Sequence, residues 1–499
     1  MPRTGAQYLE DVEDGRNVYL NGARINTVTR HKAYSGAARS IAWLYDFQRA
    51  PENLERMTFA SPETGDRVSR MWLLPRSHGD LVARREALVA WAETHFGFMG
   101  RSPDHVASTI AGFRMGSAVY EAHGKERAQA VRDYYDLARD RDLYLSYVII
   151  DPQGDRSKTR SEGGNADLTV SVCDEDAEGI TLRGAKMLGT GAVLSDEILV
   201  STLRPMKSGE ERWAFTAMLQ MNAPGLKILS RRSYEEGATS EFDYPLSSHY
   251  DENDALIYFD EVKVPWERVF VNQDVRTQFA QWHSTPAHSY QNYQAEIRLM
   301  VKLRFLVGLA RRIAETIGVI AFPQVVETLG RLSSQLQVIE AFVIAMEAKG
   351  WRYGEYWLPD RELLYASQVQ SQALYPEIVR TLRELAGGGM IMVPSSVEDF
   401  ADPELAALIG RTQYSPATDS TGRVKLFKLA WDAVGSEFGS RHTQYEMFYS
   451  GPKVVTTGMA YRTFDWDRAT ELVDRCMAGY DLPGDAGTAG GPDDGRSTA

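Results

Sequence analysis

The sequence predicts an α+β protein in three parts: a mostly helical N-terminal domain, a middle antiparallel β-barrel or sandwich, and a C-terminal helical bundle. Three observations predict it. Helical apolar periodicity fills the first 140 or so residues and returns after about residue 280. Between them lie short β-branched and aromatic segments separated by Gly, Pro, Asn and Asp. The length, 499 residues with 43% apolar and 25% charged, suits about three domains.

Taken in order, residues 79–96 place Leu81, Leu88, Ala90 and Trp91 roughly on one helical face, with Arg84, Arg85 and Glu86 elsewhere. Residues 125–142 repeat the pattern with heavier charge. Before them, Val18–Ile25 reads as a hairpin turned at Asn21-Gly22, a type I′ signal. Segments 166–174, 179–187, 196–203, 212–220 and 255–263 read as strands. Residues 294–320 form the longest apolar-periodic run, followed by helices at 322–350, 362–386, 421–438 and 466–480. Gly387-Gly388-Gly389 reads as a helix stop. The domains are expected at 1–146, 147–279 and 280–481, with a Gly/Pro/Asp-rich disordered tail over 482–499.

Composition excludes several functions. The net charge of −13 and pI of 5.3 give no basic face for nucleic acid or an anionic membrane. Two cysteines, Cys173 and Cys476, cannot build a disulfide framework or supply the Cys ligands of a structural zinc or an iron–sulfur cluster. No apolar leader or 18-residue apolar span occurs, so a cytoplasmic protein is expected.

The motifs are individually weak. The nine His form no HExxH or HxH. The run Asp251-Glu252-Asn253-Asp254 lacks the glycine and distal glutamate of a calcium loop and reads as a solvated turn. Gly189-Thr190-Gly191 is not GxGxxG, because position 194 is Leu. Phe98–His105 sets Arg101 beside a Ser-Pro-Asp helix start. That gives either a fixed cation beside free backbone N–H groups or an ordinary capped helix with a surface arginine. Asp151–Arg156 is by itself a turn.

Together these pieces resemble the 4-hydroxyphenylacetate 3-hydroxylase family, the oxygenase component of two-component aromatic monooxygenases. The resemblance runs from Arg3–Leu9 through MGRSPD at 99–104, DPQGDR at 151–156 and RGAKMLGTGA at 183–192. It continues through YPLSSHYDENDA at 244–255, VPWERV at 264–269 and KLAWDAVGSEFGSRHTQYEMFYSG at 428–451. It implies an acyl-CoA-dehydrogenase-like fold with FAD between the β-domain and the bundle, used as FADH2 with O2. On that resemblance a C4a-hydroperoxyflavin would hydroxylate a phenolic or related ring ortho to its oxygen. It also implies a separate NAD(P)H:flavin reductase and a homotetramer. A lyase or isomerase on the same fold, a dehydrogenase and a non-catalytic flavin binder are the alternatives. The two-cysteine count excludes the cluster-bearing dehydratase branch.

The resemblance also implies residue roles. Arg101 and Ser102 would line the substrate pocket with Ala192. Gln153, Gly154, Asp155, Arg156 and Thr190 would hold the isoalloxazine. Arg441, Tyr449, Ser450 and Gly451 would meet the pyrophosphate or adenosine end. Two departures matter. Family members usually carry Tyr where this chain has His105, and His where it has Tyr147. Halophenol-type relatives often carry histidines where this chain has Asn292 and Gln294. His105 is therefore the expected base, an imidazole near neutral pKa. Tyr147 is its hydrogen-bond partner and is also placed among the flavin contacts. The other reading is that His105 only positions a different ring, such as an aminoaryl, indole or carrier-tethered phenol. His288 is the reserve base.

Overall fold

The structure, a computed structural model, describes residues 1–152, 154 and 168–480. Helices come first: α1 (Ser35–Arg49), α2 (His78–Thr94), α3 (Asp104–Met115) and α4 (Lys125–Asp140). Ser77 caps α2, accepting from the Asp80 N–H while the Asp80 carboxylate accepts from the Ser77 N–H, a reciprocal capping box. α2 and α4 lie within two residues of the sequence expectation at each end.

The strands are β1 (Val18–Leu20), β2 (Ala23–Ile25), β3 (Leu145–Val148), β4 (Ser171–Glu175), β5 (Gly179–Lys186), β6 (Glu197–Val200), β7 (Thr216–Gln220), β8 (Leu226–Ser230), β9 (Ala255–Pro265) and β10 (Val269–Val271). They form a six-stranded sheet, order β2-β1-β8-β9-β5-β4, and a four-stranded sheet, order β10-β7-β6-β3. The β1–β2 hairpin turns at Asn21 (φ 52°) and Gly22 (φ 79°), both positive as the turn requires. β1 then pairs in parallel with β8. The N-terminal part thus contributes two strands to the main sheet, and β8 itself was not anticipated. The expected boundary at 146/147 falls inside β3, and that at 279/280 falls inside the helix Val275–His283. The tail 482–499 lies outside the described residues.

The bundle is α5 (Ala287–Thr316), α6 (Pro323–Ala348), α7 (Arg361–Ala386), α8 (Ser420–Val434) and α9 (Glu437–Phe448). α7 ends at Gly387 with φ 53°, the helix stop expected there. α5 begins seven residues before the sequence run suggested. Its first half is buried on every side and carries Gln291, Gln294, Glu296, Arg298 and Lys302 into the interior.

One core fills the helices and another fills the space between the sheets. β3 divides its side chains between them. Leu145 and Tyr147 face the helices; Tyr144 and Val148 face the sheet core. That is the two-residue alternation of a strand. On α3, His105, Thr109 and Gly112 fall at i, i+4 and i+7, one helical face. Gly112 is where that face meets α5. A Cβ there would lie 2.2 Å from the Ala287 Cα and 2.5 Å from its nitrogen. Gly112→Ala should therefore cost about 1–3 kcal/mol by overpacking, read as a lowered denaturant midpoint. It should also reduce activity, because it displaces His105 from α5.

Candidate active site

The site lies where α3, β3, α5 and α9 converge. Arg101 sits just ahead of α3 and is pinned by its own backbone. Its N–H donates to the Glu252 carboxylate, and its carbonyl accepts from the Tyr144 hydroxyl at 2.9 Å. The guanidinium is buried, 9% exposed. Its carbon stands 5.1 Å from the Tyr147 ring centroid and 5.2 Å from that of Tyr445. Gly100 allows this, since a Cβ would lie 2.5 Å from the Tyr445 hydroxyl oxygen. A surface arginine on a capped helix is thereby excluded.

One turn along α3, His105 Nε2 lies 2.7 Å from Arg101 Nη1 and 3.0 Å from Gln291 Nε2. Its Nδ1 lies 2.8 Å from Gln294 Oε1. Gln294 Nε2 donates to Asp104 Oδ2 at 3.0 Å, and Thr109 donates to Gln291 Oε1 at 2.8 Å. Gln291 Nε2 also donates to the Tyr147 hydroxyl at 3.2 Å. Arg101 thus meets His105 directly, while Tyr147, expected as the hydrogen-bond partner of His105, is joined to it through the Gln291 amide, their rings 5.6 Å apart.

No carboxylate lies within ion-pair distance of the Arg101 side chain among the described residues. Burial, then the Arg101 charge, hold His105 well below the ordinary imidazole value of 6.5. Against the expectation of an imidazole near neutral pKa, burial and the adjacent guanidinium favour the neutral ring, which can accept a hydrogen bond.

Three expected substrate contacts are placed elsewhere. Ser102 Oγ donates to Asp104 Oδ1 at 2.5 Å, so its hydroxyl braces the start of α3. Ala192 is fully buried in the core between the sheets. His288 Nδ1 lies 3.0 Å from the Tyr365 hydroxyl oxygen, and Asn292 Nδ2 lies 3.3 Å from His288 Nε2. Burial pushes His288 down to about 4.

On the sheet side, Thr190 Oγ1 donates to Asp254 Oδ1 at 2.5 Å. Asp254 also takes Arg441 Nη2 at 2.7 Å and Arg231 Nε at 2.9 Å. Arg231 reaches Asp251 at 2.5 Å, and Arg441 reaches Glu252 at 3.4 Å. The acidic run read as a solvated turn is instead buried from Asp251 to Asn253. It neutralises two arginines and carries Arg101's backbone. Arg441 is therefore committed to carboxylates within its own chain, not left open to a pyrophosphate.

Tyr449 donates to Glu296 Oε1 at 2.6 Å and stacks on Tyr445 at 5.8 Å. Ser450 Oγ and the Gly451 carbonyl both accept from Gln372 Nε2, at 3.2 and 2.8 Å. These three lie on the bundle, linked to Arg101 only through Tyr445. Gly154 is exposed; Gln153, Asp155 and Arg156 lie outside the described residues.

Two features fit a planar heteroaromatic cofactor beside this site. Leu188 takes φ 62° and stays half-exposed two residues before Thr190, a strained backbone of the kind that collects at functional loops. The Tyr445 hydroxyl is buried without a hydrogen-bond partner among the described residues.

This chain belongs to the 4-hydroxyphenylacetate 3-hydroxylase family. Residues 4–271 match its N-terminal domain and residues 279–478 its C-terminal domain. Particular relatives sharpen the picture. The chain is 36% identical over 489 residues to the pyoverdin chromophore biosynthetic protein PvcC of Pseudomonas aeruginosa, covering 96% of each. It is 34% identical to the oxygenase component of 4-nitrophenol 2-monooxygenase from a Rhodococcus species, covering 97% of this chain and 93% of that one. The crystal structure of the oxygenase component HpaB of 4-hydroxyphenylacetate 3-monooxygenase, complexed with FAD and 4-hydroxyphenylacetate, superposes with a TM-score of 0.91. That match has 31% identity and covers 96% of this chain and 98% of that one.

Sequence reasoning missed Gln291, Gln294, Tyr445, Glu252 and Asp254. Gln291 lies ahead of the run expected to be helical, inside the helix Ala287–Thr316; Gln294 opens that run and stood out only as a place where relatives carry histidine. The acids were visible, but the cations of Asp254 lie 23 and 187 residues away. Asp254→Asn should leave Arg231 and Arg441 buried and short of charge, costing about 3–5 kcal/mol, measurable by denaturant unfolding.

Proposed function

We propose that this chain is the oxygenase component of a two-component monooxygenase. It uses FADH2 from a separate NAD(P)H:flavin reductase, with O2 as co-substrate, and hydroxylates a para-substituted phenol ortho to the ring oxygen. The observation that carries this reading is Arg101: a buried guanidinium between two aromatic faces, beside an imidazole, with no carboxylate in ion-pair contact among the described residues. Such a pocket favours an aromatic ring whose oxygen can take negative charge. The relatives add support. One is named for a 4-nitrophenol 2-monooxygenase and another holds 4-hydroxyphenylacetate in a 3-monooxygenase. Both names place the new oxygen ortho to the phenol hydroxyl.

Thr190 and the Tyr445 hydroxyl are the residues we assign to the flavin. When bound, the reduced flavin supplies the electrons that activate O2. The chain's own groups do the rest. Arg101 stabilises charge at the phenol oxygen and so enriches the ortho carbon. His105 Nε2 accepts the phenolic proton. Tyr147 and Gln291 hold the imidazole in place, and the aromatic walls exclude water.

We further propose a homotetramer in the cytoplasm. Trp466, Leu472, Val473 and Met477 leave an apolar face exposed on the helix Trp466–Met477, suited to a second copy. The two free, exposed cysteines suit a reducing compartment. No described helix is long and apolar enough to cross a membrane.

The direct test supplies chemically reduced FAD and 18O2 with a panel of phenols. Product carrying one 18O is expected; flavin oxidation with every phenol unchanged would sink the reading. Arg101→Met and His105→Ala should each lower kcat/KM by about 10²-fold or more. Product formed per FADH2 consumed should fall with it. Because His105 is held well below 6.5, the wild-type rate should show no loss from pH 8 down to the ordinary imidazole value. An acid limb centred there would contradict the neutral His105. In size-exclusion chromatography with light scattering, the chain should run as four copies, and Leu472→Asp with Val473→Asp should reduce that number.

A further inference from the structure

Gln294 is fully buried, and both ends of its amide are committed. Asp104, which also accepts from Ser102 at 2.5 Å, takes the NH2 group. The oxygen must then face His105 Nδ1. Nδ1 therefore carries the proton, and Nε2 carries the lone pair. The second amide agrees independently. Thr109 donates to Gln291 Oε1, which turns the Gln291 NH2 toward Nε2. Arg101 Nη1 lies 2.7 Å from Nε2 and 3.4 Å from Nδ1, so the two amides, not the arginine, set the tautomer.

We infer that Gln294, anchored on Asp104, is a positioning residue that fixes His105 as its Nδ1–H tautomer, so that the pocket takes its phenol as a neutral O–H donor to Nε2 and not as a preformed phenolate. The inference rests on the phenol reading above. A phenolate brought to this nitrogen would set two lone pairs against each other. A phenol gives its proton to Nε2 in place of the donors now within reach of that single lone pair, while its oxygen accepts from Arg101 and the Gln291 amide keeps the Tyr147 hydroxyl. The groups facing the imidazole are Arg101 from the loop, Asp104 (through Gln294) and Thr109 from α3, and Tyr147 from β3. Gln291 and Gln294 face it from α5, where Arg298 adds a more distant charge. Tyr445 comes from α9, behind Arg101. None of these offers a carboxylate in contact with the ring.

The test uses the FAD-free full chain and 4-nitrophenol, whose phenol and phenolate absorb at different wavelengths. Wild type should bind the phenol form, without the phenolate band. Its affinity should fall about tenfold per pH unit above the ligand's own pKa. Gln294→Leu releases the tautomer, so the bound ligand should gain the phenolate band and lose that pH dependence. Asp104→Asn, nearly isosteric, lets the Gln294 amide invert and should move the spectrum the same way. Histidine 15N shifts should show Nδ1 protonated in wild type. A merely structural Gln294 would weaken binding in both variants with no change of band, and that result overturns the proposal. So does a phenolate band in wild type. If wild type binds no phenol of the panel, the phenol reading itself falls and takes this proposal with it.

Discussion

The close crossing of α3 on α5 is the constraint on which the site depends. Backbone meets backbone at Gly112 and Ala287, and only a missing side chain allows it. Seven residues earlier on the same face, the crossing leaves room for an imidazole and two amides. A wider crossing would break the Gln294–His105 and Gln291–His105 contacts together. β3 supplies the third wall by simple alternation, turning Tyr147 toward the helices while its neighbours serve the sheet core.

Electrostatics then separates this arginine from the others in the interior. Arg231 and Arg441 are neutralised by Asp251, Glu252 and Asp254. Arg298 and Lys302 converge on Glu446. These pairs cost desolvation and return it as Coulomb energy within the pair. Arg101 alone in this group keeps its charge for something that arrives, and its contact with Glu252 runs through the backbone N–H. The same acidic residue that holds the arginine in place leaves its guanidinium unpaired. The overall charge of −13 is thus no guide to the site, where the Arg101 charge is joined by those of Glu252 and Arg298.

The three-part fold was readable because periodicity is local: α2, α4, α6 and α7 announce themselves within windows of twenty residues. β8 and the early start of α5 were not. β8 is short, and its alternation ends at Ser230. The first turns of α5 hold polar residues on faces that are buried only because other helices surround them. The site was partly readable in the same way. Arg101, His105 and Tyr147 stood out through motif resemblance. Their supports did not, since a glutamine is no signal until its partner is known. Ser102, Ala192 and His288 show the converse error: a motif names neighbours of a site as readily as members. Arg441 was found as important but for the wrong partner, because nothing in a linear sequence says that Asp254 lies beside it.

Histidine on α3 and tyrosine on β3 set what the pair can do. An imidazole on the strand would face α5 at the Gln291 amide, as Tyr147 does. On α3 it gains Gln294, and with it a defined tautomer. Tyr147 on the strand keeps an aromatic face for the guanidinium and a hydroxyl for Gln291. The arrangement places the imidazole at the rigid helix crossing. There its orientation is set by buried amides, whose hydrogen-bonding does not titrate. A base arranged in this way has its direction set by packing and its weak basicity by burial. It accepts a proton only from a group that Arg101 has already made willing to lose one.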